Sequence, residues 1–330
     1  MVTNNKAYVQ KQAAVWMEQA TAAWSYLEKT GQVSHEQFWG PSNPYLKKIS
    51  ELFENDFAVA RLIDSSDLVI HAEGPGAIHH SPSLGAVNWL CSRMERRLRT
   101  LVESVLPMNE RQARAVSRDL DLRLTGLAAG SLYLGFSVAP PQPRLGFEAA
   151  DEQAMSLVRD AVESLPLVPQ FVTDTDVSPE IANALPDPAL RDAAIVAAHD
   201  LAPTGRKGIH TVEINAPRSH AASSVLGQRE RVILRDNMRS PLIGKRYRGS
   251  FVGDLRALDL DTGRASLRHV ADDINSIRCV FAKNITLAQK MYGRTVRVTG
   301  EYEAGKDGKP RLMKVFEIQE ANLDLNANDD

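Results

Sequence analysis

The sequence has few cysteines and no long apolar run. Only two of its 330 residues are cysteine, Cys91 and Cys279, and because they lie far apart they do not suggest the disulfide framework of a small secreted domain. No apolar stretch approaches the ~20 residues that a membrane-spanning helix needs. The N-terminus also lacks the charged-then-apolar layout of a signal peptide. These absences predict a cytoplasmic protein with no membrane contact.

The sequence also lacks the short motifs that identify common enzymes. The glycines of the segment 73–83 match neither a phosphate-binding loop nor a dinucleotide fingerprint. Gly130-Ser131-Leu132 is not a nucleophile elbow, because the Gly-x-Ser-x-Gly pattern is absent. No cysteine pair or spaced histidine pair suggests a metal site. We therefore expect no catalytic residue, no metal and no cofactor, which leaves hydrolase chemistry open but without support.

Charge is nearly balanced overall but unevenly distributed along the chain. The formal net charge is −2. Residues 206–248 carry ten basic side chains against three acidic ones, and residues 241–320 carry fifteen against ten. A basic region on a near-neutral chain permits an anionic partner without requiring one.

The first part of the chain predicts a helical arm followed by a sheet domain. Apolar residues at helical spacing predict a helix over residues 6–30, and a second helix is expected over 45–57. Residues 1–60 are therefore interpreted as a helical N-terminal arm whose aromatic side chains form core or subunit contacts. Residues 61–215 alternate strand and helix patterns and predict a mixed α/β sheet domain with helices on one sheet face.

The remaining residues predict a connector, a barrel and a tail. Residues 216–240 are polar and rich in arginine, and we expect a basic connector there. Residues 241–320 predict a long strand, a turn at 261–263, two further strands, a short helix and a closing hairpin. Residues 321–330 are polar and acidic and predict a disordered tail. The predicted fold class is α+β: a helical arm, a mixed α/β sheet domain and a C-terminal five-stranded β-barrel.

The order of elements in this last folded segment resembles the OB-fold family. Its helix leads from Leu287 into a strand that reaches Gly300, and its closing hairpin surrounds the turn Gly305–Lys309. The resemblance implies a barrel that binds its ligand across the second and third strands and the loops beside them. The first of those loops is Asp259–Gly263.

The whole chain also resembles bacterial proteins of uncharacterised function in which an α/β region precedes such a barrel. The stretch from Leu124 to Leu134 carries this resemblance. It implies a component of a toxin–antitoxin or antiviral (phage-defence) system, and it transfers no site residues.

Basic residues of the barrel are the candidates for contact with nucleic acid or a protein partner. Arg246 and Arg248 share one face of the first strand, because alternate side chains of a strand point the same way. Tyr302 is a candidate stacking platform for a base, whereas Phe281 continues an apolar alternation and is expected in the core. The full candidate set is Arg246, Arg248, Arg264, Arg268, Arg278, Lys283 and Lys309.

A second, weaker ligand hypothesis concerns His79 and His80. They follow a predicted strand and a loop with two glycines, a place where α/β folds often bind ligands at helix N-termini. Imidazoles act as bases or metal ligands. Adjacent residues of an extended chain face opposite sides, however, so an exposed loop is the preferred interpretation.

Three functional hypotheses follow from these observations. The first is a non-enzymatic cytoplasmic binding or regulatory protein, an accessory or antitoxin-like component of a larger bacterial assembly that self-associates or binds a protein partner. The alternative is a single-stranded nucleic-acid-binding protein that acts through the barrel. The third is an enzyme with a site near His79 and His80. An exposed apolar patch would favour the first hypothesis. Accessible basic and aromatic groups would favour the second, and a deep pocket with a carboxylate would favour the third.

Overall fold

The computed structural model describes most of the chain, and its structure is α+β. Within the described residues the chain forms N-terminal helices, a five-stranded sheet and a closed five-stranded β-barrel. Over the same residues no helix has the length and apolar character to cross a membrane. The described ranges are 6–31, 33–78, 81–105, 117–118, 120–128, 131–139, 150–217, 224–271 and 274–321.

The N-terminal arm consists of one long helix and a bent helical segment. Its elements are α1 (Lys6–Thr30), α2 (His35–Phe38), α3 (Pro44–Glu51), a π-helical turn (Leu52–Asp56) and α4 (Phe57–Ser65). Helix α1 confirms the predicted helix over residues 6–30 and ends before Gly31, whose φ of +64° favours glycine. The Asn43 side chain accepts hydrogen bonds from the Tyr45 and Leu46 amides and so starts α3. The second predicted helix is therefore longer than 45–57 and contains a π-helical turn.

The sheet domain has the strand order β2-β3-β1-β4-β5, with every neighbouring pair antiparallel. Helices pack on its main face around a large apolar core. Its strands are β1 (Leu68–Glu73), β2 (Asp121–Ala128), β3 (Leu132–Ala139), β4 (Thr211–Asn215) and β5 (Ser224–Leu226). Its helices are α5 (Leu84–Val105), α6 (Ala150–Ser164), α7 (Ile181–Ala184), α8 (Pro188–Leu201) and α9 (Gln228–Arg239), with a 3₁₀ segment at Leu165–Phe171.

The second face of this sheet is only partly covered. In β1, Leu68 and Ile70 face the main core, whereas Val69 faces the opposite side and packs against α4. The prediction of helices on one sheet face is therefore wrong, because α4 of the arm supplies Val59 and Leu62 to the second face. His71 lies further along this second face.

The segment expected as a connector contains regular structure. Strand β5 pairs with β4, and helix α9 buries Ile233, Leu234 and Met238 in the sheet-domain core. The prediction missed this helix because five arginines between residues 218 and 239 conceal three apolar residues on one helix face. Residues 218–223 of the expected connector lie outside the described residues, as do residues 322–330 of the expected tail.

The barrel closes in the order β10-β8-β7-β6-β9 around its own apolar core. Strand β10 runs parallel to β8, and the other neighbouring pairs are antiparallel. This arrangement is compatible with an OB-like barrel. Phe281 is buried in the barrel core, which confirms its predicted position. The elements are β6 (Tyr247–Asp259), β7 (Arg264–Ala271), β8 (Ile274–Val280), α10 (Ile285–Lys290), β9 (Thr295–Ala304) and β10 (Pro310–Glu320).

Buried ion pairs join the barrel to helix α8 of the sheet domain. Asp192 of α8 is 2% exposed. Its Oδ1 accepts a hydrogen bond from Arg264 Nη2 at 2.7 Å, and its Oδ2 accepts one from Arg278 Nε at 2.6 Å. At the start of the same helix, Asp187 Oδ2 lies 2.9 Å from Arg311 Nη2. The two domains are therefore held together by ion pairs. The carboxylate at the centre of this interface, Asp192, is shielded from water.

The charge environment of Asp192 favours the carboxylate strongly. Burial alone would raise the pKa of Asp192, but the positive charges of Arg264 and Arg278 and their hydrogen bonds outweigh burial. The pKa therefore lies well below the ordinary value of an aspartate. Removing the carboxylate charge would leave two guanidinium groups without their counter-charge at the interface.

We expect Asp192→Asn to lower the free energy of unfolding by about 3 kcal/mol, because breaking a buried pair leaves an uncompensated charge. Chemical denaturation of both proteins measures the difference. Asp236→Asn is the matched control, since Asp236 pairs with Arg235 on the surface and such pairs contribute only ~0–1 kcal/mol. Equal effects of the two substitutions would contradict a stabilising role for the buried pair.

The stabilisation by Asp192 should also depend on pH. Because the folded-state pKa is depressed, the stabilisation is complete above the unfolded pKa of ~3.9 and is lost as pH falls through that value towards the folded pKa. The difference in unfolding free energy between the natural protein and Asp192→Asn should therefore shrink between about pH 5 and pH 3. Denaturation curves at several pH values measure it, and a difference that stays constant would contradict the assignment.

Candidate functional site

Helix α8 contacts the barrel at the face on which the OB-fold resemblance places a ligand. That face consists of the second and third barrel strands, β7 and β8, and the side chains of Arg264 and Arg278 project from these strands to Asp192. The two arginines are expected from the sequence to contact an external partner, but they bind a carboxylate of the same chain instead. Arg264 is only 5% exposed and is therefore not accessible to a ligand in solution.

The other candidate residues are dispersed over the barrel surface. Arg246 and Arg248 are exposed near the start of β6; Arg246 donates to the Leu242 carbonyl, and Arg248 lies 3.4 Å from the Glu301 carboxylate. Lys283 is exposed before α10, whereas Arg268 of β7 and Lys309 of the β9–β10 turn are half-buried. The structure does not bring these residues into one cluster. His79 and His80 lie outside the described residues.

A pocket of about 450 Å³ lies where the start of β6, the β9–β10 turn and helix α8 meet. Two tyrosine rings form one wall: Tyr247 and Tyr302 are stacked with their centroids 5.5 Å apart and their planes inclined by 27°. The residues of this pocket that bear on its chemistry are Arg191, Lys245, Tyr247, Tyr302, Glu303 and Lys306. We call it the interdomain pocket.

Strand pairing and one glycine place the two rings together. Tyr247 and Tyr302 are directly paired residues of the antiparallel strands β6 and β9, so their side chains project from the same face. Gly249 leaves room for the Tyr302 ring, because a Cβ there would lie 3.0 Å from Tyr302 Cε1. Phe251 supports the same ring edge-on at 5.2 Å. The aromatic wall is therefore a consequence of β-barrel register.

The interdomain pocket is basic at its rim, and its floor contains the buried ion pair of Arg191 with Glu303. Lys245 Nζ lies 5.3 Å from the centroid of Tyr247, and Lys306 is exposed in the β9–β10 turn. At the floor, the buried Arg191 donates to the Leu185 carbonyl and to Glu303. Arg191 Nε has no hydrogen-bond partner among the described residues. A buried donor of this kind is costly unless a ligand or water accepts from it.

A larger pocket of about 600 Å³ lies between α9 and the β6–β7 turn. It contains three arginines of α9, but two of them are already engaged. Arg231 donates to the Ala202 carbonyl at 2.8 Å, and Arg235 pairs with Asp236 at 3.2 Å. Among the described residues that line this pocket there is no exposed phenylalanine, tyrosine or tryptophan, since Phe281 is buried. The interdomain pocket is therefore the better site for a ligand that is both planar and anionic.

The structure defines the class of the protein as an α+β chain whose closed five-stranded barrel is compatible with an OB-like barrel. No protein-family model matches the sequence, and no curated protein or solved structure is significantly similar to it. The function is therefore inferred from the site alone.

Sequence reasoning found part of the interdomain pocket. Tyr302 is among the predicted stacking platforms, and the structure places it in the aromatic wall. The candidates predicted from the sequence do not include Tyr247, Lys245 or Lys306. These residues come close to one another only through the register of β6 against β9. Arg191 lies in a largely apolar helix, where the adjacent charged residues Arg191 and Asp192 are the signal that the sequence offers.

Proposed function

We propose that the chain is a binding protein that recognises single-stranded nucleic acid at the interdomain pocket. The observation that carries this proposal is the stacked pair Tyr247–Tyr302 in a pocket that Lys245 and Lys306 also line. A base that stacks on a tyrosine gains roughly 1–3 kcal/mol with little dependence on sequence. Ammonium groups beside the ring attract the phosphates that connect successive bases.

The dimensions of the interdomain pocket support a ligand of nucleotide size. Its volume of about 450 Å³ lies within the ~300–1,000 Å³ that small-molecule sites have. One nucleotide enters the pocket, with its base against the tyrosines and its phosphate towards the lysines at the rim. Neighbouring nucleotides pass the exposed Arg246 and Arg248 at the start of β6.

This binding path differs from the one that the OB-fold resemblance implies. Asp192 of α8 already engages Arg264 of β7 and Arg278 of β8. The proposed ligand therefore lies on the β6–β9 side of the barrel, beside the β9–β10 turn. The β9–β10 turn is shared by both paths. The proposal therefore needs no separation of the two domains.

Tyr247→Ala should weaken binding of a fluorescein-labelled oligothymidylate by about 5- to 100-fold, the loss of one stacked base. Fluorescence anisotropy at fixed salt measures the affinity. Tyr292→Ala is the matched control, because Tyr292 is 49% exposed and Tyr247 40%, yet Tyr292 is not among the residues lining the interdomain pocket. The proposal fails if the natural protein does not bind, or if the two variants bind equally well.

A salt titration of the same complex separates phosphate contacts from stacking. Lys245→Gln should reduce the slope of log affinity against log salt by about one, because one phosphate contact is lost. Tyr247→Ala should leave that slope unchanged. If Lys245→Gln alters affinity without altering the slope, the lysine does not contact a phosphate.

A second candidate function is self-association as an accessory or regulatory component of an assembly. The observation that favours it is an exposed apolar stripe on α1: Tyr8, Val15 and Tyr26 lie about two and three helical turns apart and share one face. All three are exposed, and Tyr26 is 71% exposed. Aromatic residues on an open helix face are typical of protein interfaces. The proposed occupant of this stripe is the same stripe of a second copy.

Tyr8→Ser together with Tyr26→Ser should weaken self-association by about tenfold or more, because buried interface aromatics contribute most of the binding energy. Sedimentation velocity over a concentration series measures the association. Tyr292→Ser serves as the control, since it removes an exposed tyrosine from the barrel. A natural protein that remains monomeric at all concentrations would exclude this candidate.

A further inference from the structure

Three side chains on the second face of the sheet form a hydrogen-bonded series. His71 of the central strand β1 lies between Ser131, which precedes β3, and Glu213 of β4. The distance from Ser131 Oγ to His71 Nε2 is 2.5 Å, and that from His71 Nδ1 to Glu213 Oε2 is 3.1 Å. A hydroxyl, an imidazole and a carboxylate in this order are the arrangement that activates a serine nucleophile.

We propose that Ser131, His71 and Glu213 form a catalytic centre for acyl transfer from carboxylic esters to water. Ser131 is the nucleophile and His71 the general base. Glu213 is a positioning residue: it holds His71 through Nδ1 and so leaves Nε2 free to accept the hydroxyl proton. This activity is separate from the proposed nucleic-acid binding, because the interdomain pocket contains none of the three residues.

The backbone of Ser131 supports the assignment. Its φ is +85°, a left-handed conformation that side chains other than glycine rarely adopt. Strained conformations of this kind concentrate at functional sites, where they hold a side chain in a required direction. The residue stands at the turn before β3 and is half-buried, so its hydroxyl lies at the edge of the sheet face rather than in the core.

The surroundings of His71 hold its imidazole in place. Tyr133 is paired with His71 across the strands and stacks on it, with centroids 4.1 Å apart and planes inclined by 3°. Burial, followed by the charges of Glu213, Glu73 and Asp56, raises the pKa of Tyr133, so its ring is a neutral phenol at neutral pH. A second carboxylate, Glu73, lies 3.7 Å from His71 Nε2. The imidazole is therefore stacked on one ring and lies beside two carboxylates.

The reaction balances with an ester and water as the only reactants. Ser131 Oγ attacks the ester carbonyl carbon while its proton passes to His71 Nε2. The bond from that carbon to the alcohol oxygen breaks, and the departing oxygen takes the proton and leaves as an alcohol. Water then attacks the acyl group on Ser131 and gives a proton to His71. The acid leaves, and the proton returns to Ser131 Oγ.

The test is covalent labelling of the full chain by a fluorophosphonate probe, with the modified peptide located by mass spectrometry. The probe should label Ser131. The protein should also hydrolyse p-nitrophenyl acetate, and each substitution that abolishes labelling should also lower the rate of this hydrolysis. Ser131→Gly should reduce both by at least ~1,000-fold. Glycine suits the positive φ of residue 131, so this variant removes the hydroxyl without straining the fold. His71→Gln should reduce both to the same extent.

Two further variants distinguish a catalytic series from a structural one. Ser137→Ala should keep full labelling and turnover, because Ser137 lies within β3 and has no histidine partner among the described residues. Glu213→Gln should lower kcat by about 100-fold with KM little changed, and Glu213→Asp should restore part of the rate. If the natural protein is not labelled at Ser131, or if labelling survives His71→Gln, the proposal is wrong and the three side chains only join the strands.

Discussion

The buried contact of Asp192 with Arg264 and Arg278 is the interaction on which the arrangement of the domains depends. Removing three charges from water costs several kcal/mol per ion, and this cost is offset only when geometry and hydrogen bonds are good. The contact therefore fixes how α8 lies on β7 and β8. Since Arg191 is the neighbouring residue of α8, the same contact sets the floor of the interdomain pocket.

The ion pairs at the domain interface reduce the positive charge that the barrel presents to solvent. Arg264, Arg278 and Arg311 neutralise carboxylates of the sheet domain, so their charges contribute little to the field outside the protein. The basic groups that solvent reaches include Lys245 and Arg248 beside the interdomain pocket and Lys283, Lys290 and Arg297 elsewhere on the barrel. Part of the positive charge of the barrel is therefore neutralised at the domain interface, and part is exposed to solvent.

Local sequence patterns predicted the elements better than the sites. Periodicity is a property of neighbouring residues, and it placed α1, β1 and the barrel core residue Phe281. The partner of Arg264 is 72 residues away in sequence, and Glu213 is 142 residues from His71. No spacing rule connects such residues, because strand order and register bring them together. For the same reason Gly130-Ser131-Leu132 has no motif, although the fold gives Ser131 a histidine.

Helix α8 occupies the barrel side on which OB-like folds bind their ligands, and it is attached to the same chain. A tethered segment acts at an effective concentration in the millimolar range or above, so an external molecule competes with it at a permanent disadvantage. A molecule that approached Arg264 and Arg278 from solution would have to displace Asp192, whose helix is packed in the core of the sheet domain. Asp192 is therefore an intramolecular competitor for these two arginines.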